Sequence, residues 1–273
     1  MKKFAFEEMR NLNKKATLDC ETPESALHSV SNILGLTCTD LIGFIKRFDL
    51  DDYIEKRGLA EDRPADIVLK SLLTQMDCSW GFSHTAWFHM TRCLPTQKFE
   101  QGLKPLLSII DDIWELLFEI NPSTIARPKW DEYRKLLETD RSASHLGYYH
   151  HRINTPGEQG PDGILVNELR SGGVGGICTQ DHYLKEAPEI VICICKYFGG
   201  NLLDEYTKAT KPYIVKFETT DCKLDHLSTA LYYVYERQHS EPQFNNTYNA
   251  DYRGGGISIQ ADQIRKVIPV ENT

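Results

Sequence analysis

The chain lacks any apolar run of membrane-spanning length. Its longest stretches, Ile190 to Cys195 and Leu231 to Val234, are as long as a strand or a turn, against the roughly 18 to 20 residues that a spanning helix needs. No membrane is expected as a partner. Framework spacing is missing from the eight cysteines, at 20, 38, 78, 93, 178, 193, 195 and 222. The N-terminus, Met1 to Glu8, has two lysines but neither an apolar h-region nor a small-residue cleavage site. Together these point to a cytoplasmic protein with reduced thiols and no disulfides. Cys193-Ile194-Cys195 alternates with Ile190 and Ile192, a strand-like pattern in which the cysteines are small buried hydrophobes rather than zinc ligands.

Positive charge is also in deficit, with a formal net charge of −8. That balance disfavours a generic polyanion binder, whose affinity comes from Lys and Arg on phosphates, while leaving room for a local basic groove. Hydrolytic signatures are absent. No Ser or Cys nucleophile stands in an elbow context, and no His-x-x-x-His spacing accompanies His150-His151 or Asp181-His182. The glycine cluster Ser171 to Gly176 lacks the Lys-Ser/Thr ending of a phosphate-binding loop and reads as a flexible turn.

What remains is enough for a sizeable core: 41% of the 273 residues are hydrophobic, sufficient for one large domain or a medium one with a helical extension. Thr22-Pro23 followed by apolar residues at 26, 27, 30, 33 and 34, then Gly35, predicts a capped amphipathic helix. A second helix is expected from Thr39-Asp40 and a third over Pro64 to Met76. Near Ser79-Trp80-Gly81 the texture changes, and the aromatic and β-branched run from Thr85 to Cys93 predicts a strand. A long helix is expected from Pro95-Thr96 to Asn121-Pro122, a strand over Pro212 to Glu218 and a helix over His226 to Gln238. Gly256 to Ile259 and Ile264 to Val270 read as two closing strands. The expected organisation is α+β, with a helical N-terminal module over residues 1–80 and an α+β domain over 81–273. Loops rich in Gly, Pro and His between 139 and 187, among them Thr155 to Pro161, are of the kind that carries function or disorder.

One strand holds chemistry. Alternation puts His89, Thr91 and Cys93 on one face and Phe88, Met90 and Arg92 on the other. A side-by-side imidazole and hydroxyl suit the hydrogen bonds of a ribose diol or an amide. The plain alternative is a satisfied histidine buried among aromatics.

Phe88-His89-Met90-Thr91-Arg92, then Phe99, then Gly102-Leu103 thirteen residues after the histidine, resembles the opening motif of the poly- and mono-ADP-ribosyltransferases. It is also similar to the opening of the RNA 2′-phosphotransferases. The resemblance implies an ADP-ribosyltransferase-like split β-sheet domain that takes NAD as substrate. It puts His89 on the adenosine ribose and Thr91 on nicotinamide or ribose, with Arg92 either structural or reaching a phosphate. Tyr183 is the candidate to stack on nicotinamide, with Tyr148 and Tyr149 as competitors. The two closing strands resemble the end of such folds, the first of which normally begins with a catalytic Glu. Here Asp251-Tyr252-Arg253-Gly254-Gly255-Gly256 holds no Glu.

Cleaving the nicotinamide glycosidic bond creates an oxocarbenium-like centre that calls for a carboxylate. Asp251 is the nearest acid by position and the candidate catalytic residue; Glu218, Glu205 and Glu168 are alternatives. The resemblance thus implies transfer of ADP-ribose to an intracellular protein or nucleic acid. Enzymes of this sort resemble bacterial toxins or phage-defence effectors, which implies an antitoxin-like protein partner. The competing expectation is a transferase-like binding or interaction protein without the chemistry, for which the missing Glu argues.

Overall fold

The computed structural model describes residues 16–121, 125–139, 146–168, 184, 187–198, 201–239 and 249–270. The chain is a mixed α and β protein whose strands β1 (Thr17–Leu18), β2 (His84–Cys93), β3 (Gly163–Ile164), β4 (Lys211–Thr219), β5 (Asp251–Tyr252) and β6 (Ile264–Pro269) run in the order β5-β3-β2-β4-β6, with β1 added on β2. Two compact units divide it: residues 1–88, 164–168 and 218–251 form the first, and 89–163, 169–217 and 252–273 the second. Strand β2 (His84–Cys93) passes from one to the other between Phe88 and His89. Among the described residues no helix is long and apolar enough to cross a membrane.

In the first unit, α1 (Pro23–Leu34) begins where expected, with the Thr22 hydroxyl accepting from the Ser25 N–H and Ser25 answering on the Thr22 N–H. This reciprocal pair satisfies two of the amides that a helix start leaves open. Gly35 ends the helix at φ 67°, a left-handed cap that favours glycine. Helices α2 (Cys38–Arg47), α3 (Leu50–Arg57) and α4 (Pro64–Met76) follow. Helix α3 has no clear signal in the sequence, its short polar repeat carrying little periodicity; its N-cap is Asp49, which accepts from the Asp52 N–H.

These helices bury their apolar faces around a helix from far along the chain, α10 (Leu224–Gln238), which packs on α1, α2 and α4. Arg63, just before α4, pins that contact through the Ser228 hydroxyl at 2.8 Å and the Asp225 carboxylate. Strand β1 (Thr17–Leu18) lies parallel to the start of β2, and Ile164 of β3 (Gly163–Ile164) stands opposite Phe88 in antiparallel register.

Beneath this part of β2 sits a buried polar knot. Trp87, fully buried, donates from Nε1 to the Thr219 hydroxyl at 3.0 Å, and Thr85 donates to the Asp221 carbonyl at 2.7 Å. The His226 ring lies edge-on to Trp87 at 4.8 Å and bonds the same carbonyl through Nδ1 at 3.2 Å. Burial holds the His226 pKa below the ordinary imidazole value, with the Asp221 carboxylate opposing.

The second unit has its own helical core. Helices α5 (Leu106–Glu119), α6 (Arg127–Thr139), α7 (Leu146–Asn154), α8 (Glu189–Phe198) and α9 (Leu202–Ala209) supply it. Trp114, Trp130, Tyr133 and Phe198 meet there, Trp130 stacking on Phe198 at 4.6 Å. Strand β4 (Lys211–Thr219) pairs antiparallel with β6 (Ile264–Pro269), from Tyr213 opposite Pro269 to Phe217 opposite Ile264.

Two expected elements differ, and a third is decided. Residues 189–196, which the sequence leaves open as a helix end or a strand, belong to the helix Glu189–Phe198; Ile190, Val191, Cys193, Ile194 and Cys195 are all buried, so an unbroken apolar run carries no period that could separate the two. Cys193 and Cys195 are nonetheless the buried small hydrophobes foreseen. The helix expected from Thr96 begins only at Leu106, because Phe99 and Gly102 adopt φ 57° and 75° and break the path. Of Gly256 to Ile259, Ile259 alone pairs, through an antiparallel bridge to Leu103 with both bonds at 2.9 Å.

That bridge requires Gly102 to have no side chain: a Cβ there would stand 1.9 Å from the Ile259 carbonyl oxygen, at a φ that L-residues rarely adopt. Gly102→Ala is expected to lower stability by at least roughly 2 kcal/mol, read as a shift in the urea midpoint. For His226 the neutral ring is the one the fold accepts, so its contribution is complete above about pH 6.5 and fades as pH falls through the lowered folded value. His226→Gln is expected to flatten the fall in stability below pH 6.5, measured by urea titration at pH 5 and pH 8.

Candidate functional site

The residues singled out by sequence lie on the second half of β2, where burial does not follow a simple alternation, Met90 sharing the half-buried state of His89 and Thr91. Phe88 is buried, His89, Met90 and Thr91 are half-buried, and Arg92 is 4% exposed. Tyr183 lies outside the described residues, as do the glycine cluster and Asp181-His182. Of its competitors, Tyr149 is buried and accepts from Trp114 Nε1 at 3.4 Å, a core role.

His89 is oriented by a single strong bond: its Nδ1–H donates to the Asp162 carbonyl at 2.7 Å. That bond fixes the tautomer, so Nε2 is left as an acceptor, and among the described residues nothing bonds it. Desolvation pushes the His89 pKa down, the carbonyl bond pulls it up, and the Arg152 guanidinium pushes it down again. The ring is therefore held neutral near pH 7.

Arg92 does not reach outward. Its guanidinium donates to the Leu184 carbonyl, to the carbonyls of Thr207 and Thr210 at 2.9 and 3.1 Å, and from Nε to the Thr210 hydroxyl at 3.3 Å. Thr207 and Thr210 bracket the C-terminal end of α9, where carbonyls lack helical partners and a cation is favoured by the helix dipole. Tyr206 of the same helix donates back to the Arg92 carbonyl at 3.2 Å. Of the two roles left open for Arg92, the structural one is observed.

The motif's Phe99 and Gly102-Leu103 complete this face of the second unit. Phe99 is buried edge-on to Tyr213 at 6.2 Å, and Leu103 is the residue bridged to Ile259. The segment after Tyr252 is held a second way: a Cβ on Gly160 would lie 2.4 Å from the Gly254 carbonyl carbon, so the Pro156 to Pro161 loop rests directly on the Gly254 turn.

The acids separate into different settings. Asp251, first residue of β5 (Asp251–Tyr252), is exposed and belongs to the first unit, whereas His89, Thr91 and Arg92 belong to the second. Glu168 pairs with Arg237 at 3.3 Å, Glu205 pairs with Lys208 at 2.8 Å, and Glu218 is half-buried on β4.

Sequence reading missed the carboxylates that neighbour the His89 anchor. Arg152 of α7 contacts Glu158 at 3.0 Å, Asp162 at 3.4 Å and Glu189 at 3.6 Å, while Arg253 approaches Glu158 at 3.5 Å. Burial raises the Asp162 pKa, with Arg152 opposing and Glu158 adding to the rise. Its Oδ1 is buried with no hydrogen-bond partner among the described residues. The Gly- and Pro-rich loop is legible in the sequence, but the contact of Asp162 with a histidine 73 residues earlier has no local signal.

Among the described residues no cluster of three or more His, Cys, Asp or Glu is arranged to hold a metal. Comparison with protein families, with characterised proteins and with solved structures gives no match.

Replacing Arg92 removes several charge-assisted bonds and strands the carbonyls it serves. Arg92→Met is expected to cost roughly 2–4 kcal/mol, with Arg92→Lys between it and wild type, measured by urea unfolding.

Proposed function

We propose that the chain is an NAD-dependent ADP-ribosyltransferase of the cytoplasm, acting on a protein or nucleic-acid acceptor. The observation that carries the reading is His89: its Nδ1 is tied to a backbone carbonyl, its Nε2 is an acceptor that none of the described residues engages, and Thr91 follows two residues on along the strand. A neutral, fixed imidazole beside a hydroxyl is suited to the hydroxyls of a ribose. In support, the turn that carries Gly102-Leu103 of the opening motif is clasped to Ile259 of the closing segment within the second unit.

In this reading His89 and Thr91 hold NAD and Tyr183 supplies the stacking ring, while the role of the carboxylate that steadies the developing positive charge on the ribose is the one the sequence resemblance gives to Asp251. Arg92 acts from behind by fixing the strand to α9. Toxin or antiviral-defence roles, and an antitoxin-like partner, follow only from the same resemblance.

A second reading, a binding protein that has kept the scaffold without the chemistry, draws on the state of the acids. Glu158 and Asp162 are engaged by Arg152, Asp251 is exposed, and residues 251–256, just ahead of Ile257, hold no Glu.

Nicotinamide release from NAD by the purified full chain, alone and with lysate as acceptor source, separates the two. Turnover is expected, with His89→Ala reducing kcat/KM by at least roughly 100-fold and Asp251→Asn reducing kcat while NAD still binds. A folded protein that neither binds nor consumes NAD would establish the second reading instead.

A further inference from the structure

We propose that Arg152 is a positioning residue for His89, holding the Asp162 loop so that the imidazole presents Nε2 as a neutral acceptor. The inference deepens the reading of His89 as a ribose-binding group and rests on it for its functional meaning, though not for its structural test.

The argument starts from the bond that orients the ring. The Asp162 carbonyl that receives the His89 Nδ1–H belongs to a loop between the 3-10 turn at Pro156–Glu158 and β3. Backbone contacts already fix the Gln159 carbonyl on Leu106 and Gly160 on Gly254, and a side chain is placed to hold the two ends of the loop as well. Arg152 does so: its guanidinium, at 19% side-chain exposure, contacts Glu158 at the start of the loop, Asp162 at its end and Glu189 at the first turn of α8. One rigid, planar cation thus ties α7, the loop and α8 together, a task for which an arginine fork is better shaped than a lysine.

Position and charge work in the same direction. Arg152 lies close enough to disfavour a second positive charge on His89. The other charged groups around this anchor are Glu158, Asp162, Glu189 and Arg253, and each of the three acids is engaged by Arg152. The neighbouring His150 and His151 of α7 contact Asn154 and Thr155 through their Nδ1 atoms. Without Arg152, the acids are left uncompensated and His89 gains reason to protonate. An imidazolium carries protons on both nitrogens and can no longer accept through Nε2.

The test reads the ring itself. In full-length protein with 15N-labelled histidine, long-range 1H–15N spectra report tautomer and titration, with His89 assigned by its loss in His89→Gln. Wild type is expected to show the Nδ1–H tautomer and a pKa below the ordinary value of about 6.5. Arg152→Gln is expected to raise that pKa and mix the tautomers. With NAD it is expected to lower kcat/KM roughly 10- to 100-fold and move the acidic limb of the pH profile upward, with Arg152→Lys intermediate in both.

A wild-type His89 found as the Nε2–H tautomer, or titrating at the ordinary value, overturns the proposal without any variant. So does a folded Arg152→Gln whose His89 titration and tautomer match wild type. Should Arg152→Gln fail to fold, Arg152→Lys decides, and spectra identical to wild type overturn the proposal. Correct ring spectra in a protein that leaves NAD untouched would reject the transferase reading and leave the positioning role standing.

Discussion

The second unit depends on a place where two backbones meet without a side chain between them. Gly102 lies against the carbonyl of Ile259, and the next residue, Leu103, exchanges both of its backbone bonds with Ile259. This contact ends any helical path from Thr96, so that α5 starts at Leu106, whose N–H goes to the Gln159 carbonyl instead. The same loop then rests Gly160 on Gly254 and ends at Asp162, whose carbonyl orients His89. The candidate site is thus built by backbone groups that close contacts force into position, and its side chains inherit their orientation from them.

Charge is used differently at the two ends of the second half of β2. Arg92 is buried among carbonyls and a hydroxyl, where a fixed cation completes the bonds at the end of α9. His89 is kept uncharged by desolvation and by a nearby guanidinium. One strand therefore carries a permanent cation that stabilises structure and, three residues earlier, an imidazole preserved as a neutral hydrogen-bonding group. Buried imidazole recurs in the first unit at His226, where Trp87 and the Asp221 carbonyl enclose a ring that is also held neutral.

Local signals in the sequence were sufficient wherever the physics was local. Thr22, Pro23 and Gly35 marked the ends of α1, the aromatic run marked β2, and Pro64 marked α4, because capping, φ restriction and β-branched packing act within a few residues. Helix α8 stays open between helix and strand in the sequence because an entirely apolar run looks the same as a buried strand and as a buried helix. The strand expected at Gly256 to Ile259 reduced to one bridge, since its pairing partner is the Leu103 turn rather than another strand.

By itself the sequence determined the mixed α and β composition, the helical ends, the strand that carries His89 and Thr91, and the glycine after Gln101 that proved indispensable to the turn. Only the tertiary structure decided that α10 returns to the N-terminal helices, that Arg92 faces inward to carbonyls and that Asp162 and Arg152 stand behind His89. The difference has one physical source. Caps and strand propensities are set by neighbours along the chain, whereas the tautomer of a histidine and the partner of a buried guanidinium are set by groups brought close through folding, at separations for which sequence holds no period.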